Sequence, residues 1–158
     1  MRHRLVVAAR RPADVVRRVG GWMVDLALVG WEVRVFTEGR ADLPMRILGA
    51  DHRDLESALD APARGRPPAA IAVDLELYDS DPRVRRMVRA AVDRGAADCR
   101  IWSAADAFDD GDRVLRYRLS AAARAFKCQA LAALALPPDE TGATETFRPL
   151  ALFDPSGT

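Results

Sequence analysis

Residues 69–102 read AAIAVDLELYDSDPRVRRMVRAAVDRGAADCRIW, and this stretch decides the fold class. Over 70–77 β-branched and aliphatic side chains fall at alternate positions, which predicts a strand. Ser80 or Asp81 caps a helix, and Pro82 takes its first position, where a missing N–H costs nothing. Val84, Met87, Val88, Ala91 and Val92 recur at helical spacing and make one apolar stripe. Gly95 ends the helix, because glycine takes positive φ without a Cβ penalty. Cys99, Ile101 and Trp102 form the next strand. A strand, a helix and a strand in this length make a parallel βαβ unit.

The N-terminal part repeats the design. Residues 5–9, LVVAA, are a continuous apolar run, as expected of a central strand covered on both faces. The turn Arg10-Arg11-Pro12-Ala13-Asp14 leads into a helix with Val15, Val16, Val19, Trp22, Met23, Leu26 and Val29 inward. Arg17, Arg18 and Asp25 fall on its outer side. Gly20-Gly21 in its middle weakens it by about 1 kcal/mol per glycine against alanine, and is read as close packing of the helix on the sheet. Gly30 closes the helix, and 31–37, WEVRVFT, is the second strand.

The passage LALVGWEVRVFT resembles the opening crossover of Rossmann-like folds, in which a helix ends at Gly and a strand restarts with an apolar residue, Glu and Val. The resemblance spans about thirty residues. In such folds a dinucleotide site needs glycines between strand and helix so that the backbone can reach a pyrophosphate. Here that turn is AARRPAD, with no glycine, so no dinucleotide cofactor is assigned. Glu38 stands where these folds place a ribose-binding acid.

Further along, 38–44 is read as a loop, 45–48 as a short strand and 51–59 as a short helix capped by Asp51 with Leu55 and Leu59 inward. Residues 61–68, APARGRPP, form a surface linker. The acidic stretch 104–112 precedes a helix over 113–134, with Leu115, Leu119, Ala122, Phe126, Ala130 and Ala133 as its inner stripe. Pro137-Pro138 ends it. The expectation is a single α/β domain over 1–136, Rossmann-like, with a mainly parallel sheet of four or five strands and flanking helices. Residues 137–158 form a partly ordered C-terminal tail. Its apolar island at 147–153 either covers its own core or joins a sheet edge or groove of a partner.

Composition narrows function by exclusion. The chain has 158 residues and a formal net charge of +1, so no global field draws nucleic acid or an anionic membrane. Its basic residues are twenty-three Arg and one Lys, Lys127; Asn is absent and Gln occurs once, a bias that tracks GC-rich codons. Cys99 and Cys128 have no metal spacing and read as buried thiols. The N-terminus lacks a secretory pattern and no apolar run reaches membrane-spanning length, so the cytoplasm is the default compartment. Arg83, Arg85, Arg86 and Arg89 lie on the outer face of the central helix, but no aromatic residues interleave with them, so they read as a solvated face and not a nucleic-acid surface.

The candidate ligand-binding residues are Arg10, Arg11, Glu38, Asp74 and Asp79. Arg10 and Arg11 follow the first strand beside a helix N-terminus, a position that suits anions. Asp74, Asp79 and Asp81 offer oxygen ligands for a divalent cation, but Asp81 is better read as a cap and Asp79 as a turn residue, so no metal is assigned. Polar positions alternate along three strands: Glu32 and Arg34, then Asp74, Glu76 and Tyr78, then Asp98 and Arg100. They read as a partly covered face with cross-strand ion pairs, or as Asp74 and Glu76 lining a cleft or a self-interface. His3 and His52 are isolated, and no Ser–His or Cys–His constellation exists. The function expected is a non-catalytic binding or protein-interaction module that forms a homo-oligomer. The alternative is a small enzyme or sensor for a nucleotide or phosphate-bearing ligand at the strand ends.

Overall fold

The structure, a computed structural model, describes residues 2–61, 65–103 and 113–150. The chain runs β1 (Arg4–Ala8), α1 (Pro12–Leu28), β2 (Glu32–Thr37), α2 (Asp42–Ile47), β3 (Asp51–Asp54) and α3 (Leu55–Asp60). It continues β4 (Ala70–Asp74), α4 (Leu75–Ser80), α5 (Pro82–Asp93), β5 (Asp98–Trp102), β6 (Leu115–Arg118) and α6 (Ala121–Ala133). A single 3-10 turn, Pro138–Thr141, leads into β7 (Thr144–Pro149). This is an α/β fold with a mostly parallel sheet, as the two βαβ units require. The sheet has seven strands in the order β3-β2-β1-β4-β5-β7-β6, not four or five. Strands β1 to β5 pair in parallel, and β7 runs antiparallel to both β5 and β6.

The additional strands lie where local pattern misleads. Residues 51–54, DHRD, carry no apolar side chain, because β3 is an edge strand; the helix expected from Asp51 starts at Leu55 with Asp54 as its cap, accepting from Ser57 N at 2.9 Å. Leu115 and Leu119 are four apart and mimic a helical stripe, yet 115–118 is β6. Ser120 caps α6, accepting from Ala123 N at 3.0 Å, so the last helix begins at Ala121. Phe126, expected inward, is 42% exposed. Residues 45–48, read as a strand, lie at the end of α2. The central strand stops at Asp74, whose carboxylate accepts from Glu76 N at 3.2 Å and starts α4, so Glu76 and Tyr78 are helical and do not share a strand face with Asp74. The acidic stretch 104–112 lies outside the described residues.

Helices cover both faces. Under α1 and α6 lie Leu5, Val7, Val33, Val35, Ala72 and Trp102, packed with Val15, Val19 and Met23. The other face buries Ala8, Ile71, Val73 and Ile101 against Leu77, Val84 and Val88. At Gly21 the close packing includes the residue that enters α6: a Cβ there would sit 2.3 Å from Leu119 Cγ. Residues 144–149, placed in the tail by sequence, add β7 to the chain's own sheet, and Phe147 is fully buried beside Trp22 with ring centres 5.5 Å apart. The polar strand positions are matched by cross-strand pairs, Arg4 with Glu32 and Arg34 with Asp51, each at 3.4 Å. Arg100 places its guanidinium 4.1 Å from the Trp22 ring centre. No helix among the described residues is long and apolar enough to cross a membrane.

Candidate functional site

Strand order reverses between β1 and β4: β2 and β3 lie on one side, β5 on the other. In open α/β sheets the crevice beyond the C-terminal strand ends at such a reversal is where ligands bind. Here that edge carries Arg10 after β1, Arg11 at the cap of α1, Asp14 in its first turn, Glu38 after β2, Asp74 at the end of β4 and Trp102 at the end of β5. Asp74 pairs in register with Trp102, and both belong to the side of the sheet that α1 covers.

Two groups form along this edge. In one, Arg10 Nη2 donates to Ser80 Oγ at 2.5 Å, and Nη1 lies 4.0 Å from Glu38 Oε1. Its Nε is buried without a hydrogen-bond partner among the described residues. In the other, Arg11 Nε donates to Asp14 Oδ2 at 3.1 Å, and Arg17 Nη1 lies 3.9 Å from Asp14 Oδ1. Arg17 Nε in turn donates to Glu140 Oε2 at 2.8 Å. Asp14 and Asp74 are buried, at 6% and 3% exposure. Burial pushes the Asp74 carboxyl above its ordinary range, and the charges of Asp14 and Glu76 push the same way; the bond from Glu76 N and the Arg11 guanidinium oppose the shift. The buried indole Nε1 of Trp102 has no hydrogen-bond partner among the described residues.

The structure thus places Arg10, Arg11, Glu38 and Asp74 at one edge of the sheet. Asp79 does not join them: it is exposed on α4, and its carbonyl accepts from Arg85 at 2.7 Å. The suggested carboxylate trio forms no metal-holding group among the described residues, and Asp81 caps α5 by accepting from Arg83 N at 2.9 Å. Asp14 and Trp102 were not anticipated as site residues. Asp14 could have been found as an acid following Pro12 in a first helical turn at the switch point.

Other candidate groups lie elsewhere. His3 packs on Trp31 with ring centres 5.0 Å apart. His52 Nε2 lies 2.6 Å from Thr37 Oγ1, and burial pushes its imidazole pKa down. Cys99 and Cys128 are free and only partly buried, which corrects the reading of both as buried thiols; burial still pushes the Cys99 thiol up to about 11. Of the four arginines on α5, Arg83 is held by Glu56 and Asp81, and Arg85 donates to the Tyr78 and Asp79 carbonyls.

No protein-family model matches the chain, and no curated protein matches its sequence. Solved structures do share its fold. The A40926 pseudoaglycone deacetylase Dbv21 superposes with a TM-score of 0.62 at 18% identity, over 93% of this chain and 96% of that one. A zinc-inhibited form of the teicoplanin deacetylase Orf2 gives 0.60 at 14% identity, over 92% and 97%. GalB, the 4-carboxy-2-hydroxymuconate hydratase from Pseudomonas putida KT2440, gives 0.54 at 16% identity, over 89% and 82%. At these identities the likeness is one of fold. It overturns the expectation of a non-catalytic protein-interaction module: that expectation rested on missing motifs of other enzyme folds, whereas this fold is one on which deacetylases and a hydratase are built. Zinc is named for one of these neighbours, but the donor set here does not fit it. Among the described residues no three His, Cys, Asp or Glu side chains gather to hold a metal ion, and the groups nearest Asp14 are guanidiniums.

Proposed function

We propose that the chain is an enzyme that activates water at the C-terminal ends of its parallel strands and hydrolyses an N-acyl amide of a small polar substrate. The observation that carries this reading is Asp74, a buried carboxyl beside Asp14 whose proton affinity is raised by burial and by that neighbour's charge. A carboxylate tuned upward is suited to take a proton near neutral pH. The order of the parallel strands about the β1–β4 reversal also supports reading the sheet as Rossmann-like, with its ligand at that edge.

Deacetylation and hydration have a step in common, the addition of water. In the proposed reaction Asp74 removes a proton from water as its oxygen attacks the amide carbonyl carbon. The tetrahedral intermediate collapses by breaking the C–N bond, and the amine leaves with the proton that Asp74 carried. The products are the carboxylic acid, which passes its remaining proton to the amine or to water, and the amine. Asp14, fixed between Arg11 and Arg17, keeps the affinity of Asp74 for that proton high. Arg11 supplies positive charge for the developing oxyanion. Arg10 and Glu38 hold polar groups of the substrate.

The test is acetate release by the full chain from N-acetylglucosamine, its glycosides and N-acetyl amino acids. Turnover of one of these classes, with Arg10→Ala raising KM by more than it lowers kcat, supports the reading. Absence of acetate above the protein-free rate with every class overturns it.

A further inference from the structure

A cavity of about 400 Å³ lies away from the strand ends. It opens on the opposite face of the sheet, towards the N-terminal ends of β1 and β4, where Arg4, Val6, Arg66 and Pro68 line it. Its cause is local. α3 is only six residues long, and α5 packs over Ile71, Val73 and Ile101, so Val6 and Phe36 between them stay half-buried. Register sets Val6 beside both Arg34 and Ile71, which brings these side chains to one face. Val6, Phe36 and Ile71 make an apolar floor, with Leu59 and Met87 as walls.

Six arginines surround this apolar space, Arg4, Arg34, Arg66, Arg83, Arg86 and Arg94, and no acidic residue among those described lines it. Arg4, Arg34 and Arg83 are paired outside the lining with Glu32, Asp51 and Glu56. The other three have no carboxylate among the described residues: Arg66 donates to the Arg2 carbonyl and Arg94 to the Gly65 carbonyl, and Arg86 has no hydrogen-bond or ion-pair partner among them. Arg34 Nε is buried without a hydrogen bond among the described residues. A concave apolar volume in the size range of small-molecule sites, with three guanidiniums at its rim that no carboxylate among the described residues pairs, selects for charge sign as well as shape.

We propose that this cavity binds a small amphipathic anion, an aliphatic chain ending in a carboxylate or a phosphate. The chain lies on Val6, Phe36, Ile71, Leu59 and Met87, and the head meets Arg66, Arg86 and Arg94. The site is separate from the strand-end carboxylates and does not depend on the reaction proposed there.

The test is calorimetric titration of the full chain with hexanoate, octanoate, decanoate and decyl phosphate, each below its micellar concentration, with decyltrimethylammonium as the cationic control. Saturable binding at one site is expected, tightening about threefold to fourfold per added methylene, with no binding of the cation. Decanoate or decyl phosphate binding more tightly identifies the head group. The exposed-site variant Arg86→Glu/Arg94→Glu, checked by circular dichroism, is expected to weaken decanoate at least tenfold. Equal binding of anion and cation, affinity independent of chain length, or no saturable binding by the parent protein overturns the proposal, and so does undiminished binding by a folded double variant.

Discussion

Lys127 Nζ lies 2.8 Å from Glu145 Oε2, and each side chain is 1% exposed. The chain's only lysine and a carboxylate from β7 meet inside the core, against the middle of α1. Glu145 accepts from the backbone N–H of Gly21 and of Trp22, both at 2.7 Å. Lys127 donates to the Arg17 carbonyl at 2.6 Å, one helical turn before Gly21 on α1. Buried charges lose hydration, and the loss is offset only where hydrogen bonds take water's place. These four contacts do so, and they tie α1, α6 and β7 into one register.

Lys127→Met should therefore leave the Glu145 carboxylate buried without a cation and cost about 3–5 kcal/mol. Adding Glu145→Gln should recover part of that, since the charge goes while an oxygen remains for one N–H. Urea unfolding of parent, single and double variants checks this. A loss below about 1 kcal/mol for Lys127→Met would show that the pair is not buried as described.

Gly20 and Gly21 should respond oppositely to alanine. At Gly21 the added Cβ would meet Leu119 Cγ and Cδ2 at 2.3 Å, and overpacking of this kind costs about 1–3 kcal/mol. At Gly20 the nearest atom is Leu48 Cδ1 at 3.4 Å, so the gain in helix propensity, up to about 1 kcal/mol, is retained. Urea midpoints that move the same way in both variants would contradict the placement of Leu119.

Met23 is fully buried, while Leu26 is only partly covered. Met23→Ala should cost about 2–5 kcal/mol and Leu26→Ala distinctly less. The reverse order of unfolding midpoints would mean that α1 is rotated about its axis.

What the sequence disclosed follows from where its signals were strong. α1 and α5 have Pro at the first turn, apolar residues at helical spacing and a glycine just beyond the end; α5 appears within two residues of the expected bounds, while α1 starts at Pro12, inside the stretch 10–14 read as a turn. The polar edge strand β3 has no alternation to read, and the spacing of Leu115 and Leu119 imitates a helix until Ser120 is seen as a cap. Arg10, Arg11 and Glu38 were legible as strand-end residues because strand ends follow from the βαβ pattern, whereas Asp74 fell within a strand read to run to 77 and became its last residue only because its carboxylate caps α4. Asp14 and Trp102 were not legible, since their importance depends on which strands become neighbours. Glu145 and Lys127, eighteen residues apart and in separate elements, carried no local signal.

Asp74 also makes stability depend on pH. Its folded-state pKa is raised, so its carboxyl favours folding while protonated, fully so below the ordinary carboxylate range, and that contribution is lost as pH rises through the folded value. Asp74→Asn keeps an oxygen for the α4 cap and has no charge to bury. It should melt higher than the parent at neutral pH, and the difference should shrink on acidification towards pH 4. Thermal unfolding across that range decides it; a variant that is less stable at pH 7 and no closer to the parent in acid would contradict the direction of the shift.

The most direct measurement is the steady-state kinetics of Asp74→Asn beside the parent, on whichever N-acyl amide the parent hydrolyses. A general base contributes about 100- to 10,000-fold, so kcat should fall by that much with KM little changed, in a protein at least as stable as the parent at the assay pH. A kcat within twofold of the parent would contradict the assignment of Asp74 as the group that activates water.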